Sequence, residues 1–180
     1  MANAPIGNNF WEGVLGVVRL EFGGVSYGKT TADTEIVVDQ DIKDIIFQQD
    51  GTKYADKVRT GIVYQVTATF GEIDTELLAT LDQGLTASGG GNSLKISRDL
   101  YRSWKDTFAD ELKLIRVDSE GTASADPVFQ MTFYKAAPEI TGNIQYGADT
   151  QRGIAVTFHV FYDDTKKAFG YSGYESSLGL

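Results

Sequence analysis

Cysteine is absent from the 180 residues, and histidine occurs once, at His159. The first absence removes disulfides, zinc ribbons, iron–sulfur clusters and thiol nucleophiles together. It fits a reducing compartment. The second removes metal sites built from several imidazoles. Basic residues are scarce: 16 Lys and Arg stand against 25 Asp and Glu, a formal charge of −9. Proteins that grip duplex DNA set Lys and Arg against phosphate and are usually basic. The balance therefore argues against a nucleic-acid grip and against an anionic membrane surface. No apolar run approaches the roughly 20 residues of a membrane helix. The first residues lack a basic region followed by an apolar stretch, so no signal peptide is expected. Proline is also rare, with only 3 residues.

What is present leans toward strands. Twenty Gly, 10 Phe and 9 Tyr fit turns and pleated surfaces, and 42% hydrophobic residues argue against a disordered chain. The length fits one domain, which can bury roughly 70% of its unfolded surface. The charge is uneven. Residues 1–90 carry 13 acids and 6 bases, whereas residues 91–180 carry 12 and 10.

Along the chain, residues 1–12 read as an arm with an aromatic anchor at Phe10 and Trp11. Gly13 to Phe22 alternates, with Val14, Val18, Leu20 and Phe22 on one face. Residues 23–34 read as a turn. Glu35 to Phe47 is β-branched but laced with acids, so it cannot be buried on both faces. Residues 48–59 form a polar loop with a turn at Asp50-Gly51. Thr60 to Phe70 is the cleanest strand: Ile62, Tyr64, Val66, Ala68 and Phe70 oppose Gly61, Gln65, Thr67 and Thr69. That pattern means a half-buried antiparallel sheet.

One helix of about 10 residues is expected next, capped by Asp74, stapled by Ile73 and Leu78, and stopped at Gly84. Residues 86–92 read as a connector. A short strand spans Leu94 to Arg98. Residues 99–110 fit either a helical turn or a packed loop around Trp104 and Phe108. Strands follow over Glu111–Asp118, Val128–Ala137 and from Ile154, with a polar loop at 141–153. From residue 166 the glycine-interrupted aromatics Phe169, Tyr171 and Tyr174 suggest an extended arm. The domain therefore spans 13–165, flanked by arms at 1–12 and 166–180. About seven strands and one helix, without βαβ alternation, predict a mainly β fold. Its expected form is two packed antiparallel sheets, a β-sandwich or barrel, with one flanking α-helix.

Several motifs offer chemistry and lack its context. Gly23, Gly28, Lys29 and Thr30 fit a phosphate-cradling loop, Gly-x-x-x-x-Gly-Lys-[Ser/Thr]. That loop works through a helix N-terminus, and here residues 31–38 run straight into strand sequence. Gly24-Val25-Ser26-Tyr27-Gly28 fits a nucleophile elbow, with His159 in hydrolase order, and needs the same missing helix. The acids at 33–56 lack the spacing of a calcium loop. No catalytic constellation remains, and no metal or cofactor is expected. A half-polar sheet, an acidic first half, two arms and a long polar loop suit a subunit that assembles with its own copies.

The order of features resembles the major tail tube proteins of long-tailed bacteriophages. It is carried by the strand Gly13-Val14-Leu15-Gly16-Val17-Val18 and the turn ending Gly28-Lys29-Thr30. The acidic strand then leads to Asp50-Gly51-Thr52 and Asp56-Lys57-Val58-Arg59-Thr60-Gly61. A long strand, the helix Glu72-Ile73-Asp74-Thr75-Glu76-Leu77-Leu78 and the two late strands complete it, over about residues 13 to 165. Contractile-tail and type VI secretion tube proteins are related to this family. The resemblance implies two packed sheets with a flanking helix, six copies to a ring, and rings stacked around a tape-measure protein. Tail terminator and tail-tip proteins are the implied partners at the ends. DNA passes through the lumen without specific binding, in a virion tail assembled in the host cytoplasm.

On this resemblance, Gln48, Asp50, Lys53, Tyr54, Asp56, Lys57 and Arg59, with the two arms, are candidates for contacts between rings. Asp39, Asp41, Gln65, Thr67 and Thr69 are candidates for the lumen wall. An acidic, polar wall would let phosphate slide past. The alternatives are a nucleotide-binding protein using Gly23–Thr30, or another virion or secretion tube component such as a tail terminator.

Overall fold

The computed structural model describes residues 17–27, 30–45, 56–71, 75–82, 84–88, 93–96, 103–118, 120–142 and 153–177. Ten strands occur among them. They are β1 (Val18–Phe22), β2 (Val25–Ser26), β3 (Glu35–Ile45), β4 (Asp56–Phe70), β5 (Leu85–Ser88), β6 (Ser93–Ile96), β7 (Asp110–Arg116), β8 (Gln130–Ile140), β9 (Ile154–Val160) and β10 (Gly170–Ser172). One α-helix, α1, spans Thr75–Leu81. Asp74 and Ile73, its expected cap and staple, lie outside the described residues. The fold is mainly β, as expected, with a large antiparallel sheet, a second small sheet and few helices.

The large sheet runs β2-β1-β7-β8-β9-β4-β3, every pair antiparallel, and β10 adds to β8. It cannot be flat. Phe22 on β1 and Phe158 on β9 have ring centroids 5.7 Å apart. Two strands separate β1 from β9, which in a flat sheet would put them about 14 Å apart. The sheet therefore curls over its own apolar face. Beyond β2 the chain returns to β4 through a bridge between Thr30 and Phe70, and the Thr31 N–H donates to the Thr69 carbonyl at 2.8 Å. The layered packing expected of a sandwich or barrel thus comes from one curled, nearly closed sheet.

The core fills that curl. Leu20 and Phe22, then Val66, Ala68 and Phe70, then Val156, Phe158 and Val160 are buried, following the period of two read from sequence. Helix α1 adds Leu81, fully buried, with Leu77 beside it. Tyr27 packs on Phe70 and its hydroxyl bonds the Thr80 hydroxyl, tying the end of the first hairpin to the helix. The 86–92 connector is partly ordered as a hairpin: β5 pairs β6, with Leu85 opposite Ile96. Residues 89–92 lie outside the described set. At 104–108 the chain makes one π-helical turn, with the Ser103 hydroxyl accepting the Asp106 N–H.

The tail differs from the arm expected from residue 166. Asp163 accepts the N–H groups of Thr165 and Lys166, closing a turn that returns the chain to β8. Phe169 packs on Tyr64 and Tyr162, and Tyr171 on Tyr134. The domain thus extends at least to residue 177. The physical reason is an edge of β8 that β9 leaves open: β9 pairs with Ala136–Ile140, and β10 takes Met131–Phe133.

A candidate assembly surface

Strand β4 is 15 residues long, but β9 pairs only with Tyr64–Phe70. Among the described strands, residues 56–63 are joined to β3 alone. They form a two-stranded ribbon that runs about 26 Å beyond the closed part of the sheet. A bulge between Asp41 and Ile42 kinks it. Such a ribbon has no core of its own and is marginal in water. Its β-branched residues are nonetheless solvent-facing: Ile42 is 54% exposed and Val63 49%, with Val58 similar, and on the same hairpin Val37 and Val38, opposite Gln65 and Tyr64, are exposed too. Half of the large hydrophobic residues exposed among those described lie on this one hairpin. Across its outer edge no described strand pairs with β3, so a row of backbone N–H and C=O groups faces outward.

Register settles where the candidate lumen residues lie. Residues directly opposite in an antiparallel pair share a face. Asp39 opposes Val63 and Asp41 opposes Gly61, so both share a face with Gln65, Thr67 and Thr69. All five are thus on the side away from the core. Glu35 joins them opposite Thr67, and β9 and β8 add Thr157, His159 and Glu139. Thr157 and Thr141 share a hydroxyl bond at 3.0 Å.

This face carries unbalanced negative charge. Among the described residues no Lys or Arg lies within ion-pair distance of Glu35, Asp39 or Asp41. On the same face the His159 Nε2 lies 2.7 Å from a Glu139 carboxylate oxygen. The Gln65 amide lies 3.5 Å from the imidazole Nδ1, and the Trp104 ring meets the imidazole edge-on at 5.5 Å. Lys105, next to that tryptophan, bonds Asp164 at 2.8 Å, which fixes the π-turn over one end of the face. Elsewhere several acids are matched by cations. Glu21 pairs with Arg19, Glu111 with Lys113, Asp163 with Lys135 and Glu175 with Lys166.

The candidates for contacts between rings divide. Asp56, Lys57 and Arg59 sit at the far end of the ribbon, with Lys57 3.5 Å from Asp44 and Arg59 opposite Ile42. Gln48, Asp50, Lys53 and Tyr54 lie outside the described residues, as does the 1–12 arm. Sequence reading missed the exposed aliphatics. The signal was present: Ile36, Val37, Val38, Ile42 and Ile45 are too many for a purely solvated strand.

The phosphate-loop pattern has different geometry. Gly23 and Gly24 take φ of 58° and 76° as the turn of the β1–β2 hairpin. The Gly23 N–H donates to the Glu111 carbonyl at 2.9 Å, and the Asp110 carboxylate lies against Gly23. No helix stands between Thr30 and β3, and Gly28 and Lys29 lie outside the described residues. No hydrogen bond joins Ser26 to His159. In comparisons of sequence, no family model and no curated protein matches this chain.

Proposed function

We propose that this chain is a structural subunit that assembles with its own copies into rings and a tube, in the manner of bacteriophage tail tube proteins. The observation that carries the reading is the β3–β4 ribbon. It projects aliphatic side chains and an open strand edge that an isolated protein has no reason to keep. A neighbouring copy covers both. Ring closure removes each open edge in turn, because the last subunit meets the first.

The acidic face completes the reading. If copies join through the ribbon, Asp39, Asp41, Gln65, Thr67 and Thr69 become repeated around one surface. Hydroxyls, amides and carboxylates outweigh Lys43, the one lysine of that parity on β3, and set up a repulsive potential along the wall. DNA ejected through such a channel has nothing to bind. A tape-measure protein filling the lumen before DNA, and terminator and tip proteins closing its ends, are the partners this role requires. The virion tail is the corresponding location.

Electron microscopy of the purified protein tests the proposal. Rings or tubes with a central channel are expected at high concentration. Ile42→Asp with Val58→Asp should abolish them while the monomer stays folded. Monomers at every concentration, with or without tail-tip complexes as initiators, would overturn it.

A further inference from the structure

Strand β8 is completed on one edge by two successive segments. The second of them, β10, arrives through a strained turn. Lys167 sits at φ 51°, alone among the described non-glycine residues in the left-handed region. A side chain there crowds the following carbonyl. The turn is held by Asp163, which accepts the Thr165 and Lys166 N–H groups at 2.8 and 2.9 Å, and by the Asp163–Ala168 bridge.

The contacts that seat the segment beyond the turn do not depend on its path. Gly170 lies flat against β8, where a Cβ would stand 2.2 Å from the Thr132 carbonyl oxygen. Phe169 rests on Tyr64, Tyr171 on Tyr134, and the Tyr134 hydroxyl donates to Glu175 at 3.1 Å. The Tyr174 hydroxyl reaches Asp126 at 3.4 Å. Each joins the segment to the body that precedes the turn, so the same segment from a second copy can make all of them.

We propose that residues 168–177 are an exchangeable strand, docked in its own chain when dilute and in a second copy of this chain when concentrated. Exchange opens the 163–167 turn and releases Lys167 from its left-handed conformation. Every strand pair and ring contact of the segment is remade in the partner. A hinge strained in the closed form is the known driver of such swaps. The exchange does not require the ring, and a chain that forms no tube still has the segment and the slot.

The absence of cysteine makes the test clean. Full-length Thr132→Cys and full-length Tyr171→Cys, one isotope-labelled, are mixed and oxidised. Positions 132 and 171 face each other in register, at a separation that a disulfide spans. Thr132 is 1% exposed beneath its own β10, so surface collision does not reach it. The expected product is a disulfide between unlike chains, identified by mass, whose yield rises with concentration. Lys167→Gly, which relaxes the turn, should lower that yield by about fivefold, the size of one left-handed penalty. Lys167→Pro, which fixes φ near −65°, should raise it. The proposal falls if no unlike-chain disulfide forms at any concentration in either Lys167 background, while the double-cysteine chain closes within itself. Exchange is read by mass and assembly by microscopy, so either can fail alone.

Discussion

Phe22 and Phe158 pack ring to ring from strands that are not neighbours, and the curl of the sheet is what brings them together. Both are buried, as are Leu20 and Val156 beside them. Phe158→Ala should therefore cost about 3–5 kcal/mol, the usual range for a large aromatic removed from a core. Urea unfolding of the monomer would measure it. A loss below 1 kcal/mol would mean that the curl does not depend on this contact.

The acidic face predicts the sign of a DNA interaction. Reversing Asp39 and Asp41 together to Lys should leave monomer stability within about 0.5 kcal/mol, because both are exposed strand positions. Assembled particles of the variant should retain double-stranded DNA at low salt, and the wild type should not. Retention should fade as salt rises. Equal retention by both would remove the argument that these acids serve the channel wall.

The returning tail should open in acid. Hydrogen bonds from Lys166 and Tyr134 hold the Glu175 carboxyl below its ordinary value, and the backbone N–H groups of Lys166 and Thr165 do the same for Asp163. A carboxyl depressed in the fold favours its ionised, folded form. Its stabilisation is complete above the ordinary carboxylate range and disappears as pH falls through the lowered values. Amide exchange at residues 165–175 should accelerate over that window before the core exchanges. Glu175→Gln and Asp163→Asn should flatten the dependence.

At the alkaline end the same latch has a second marker. Burial and the adjacent Glu175 push the Tyr134 phenol up to about 12. The neutral phenol is the folded form, so its contribution holds below pH 10 and is lost as pH rises toward that value. An ultraviolet titration should show two late tyrosines, Tyr134 and the buried Tyr27, whose phenol burial also pushes up. Glu175→Ala should bring Tyr134 alone back toward the others.

Gly170 tests the fit of the last strand. Gly170→Ala places a methyl into the β8 backbone, and the strand must shift to admit it. A cost of about 1–3 kcal/mol is expected, the usual range for overpacking. It should be confined to residues 168–177 and seen as faster exchange there.

Much of this fold was legible because period two survives wherever one face meets the core. The alternations at Val66–Phe70 and Val156–Val160 became buried faces as read, whereas at 131–133 the intervening Thr132 is buried as well, where β10 pairs with it. The lumen candidates fell on one side because they share that parity. The tail was illegible for the opposite reason. Phe169 and Tyr171 carry no period, and what orders them is an edge of β8 that exists only after β9 has paired. The ribbon was half legible. Its acids announced exposure, whereas its aliphatics stay exposed and pack into no core among the described residues.

The lone histidine gives the proposed channel wall a built-in spectroscopic probe. His159 sits on the acidic face between Glu139 and the Trp104 ring, and no other imidazole exists to overlap its signals. Its ring resonances, shifted by the indole current, report directly on whatever slides over or settles on that surface.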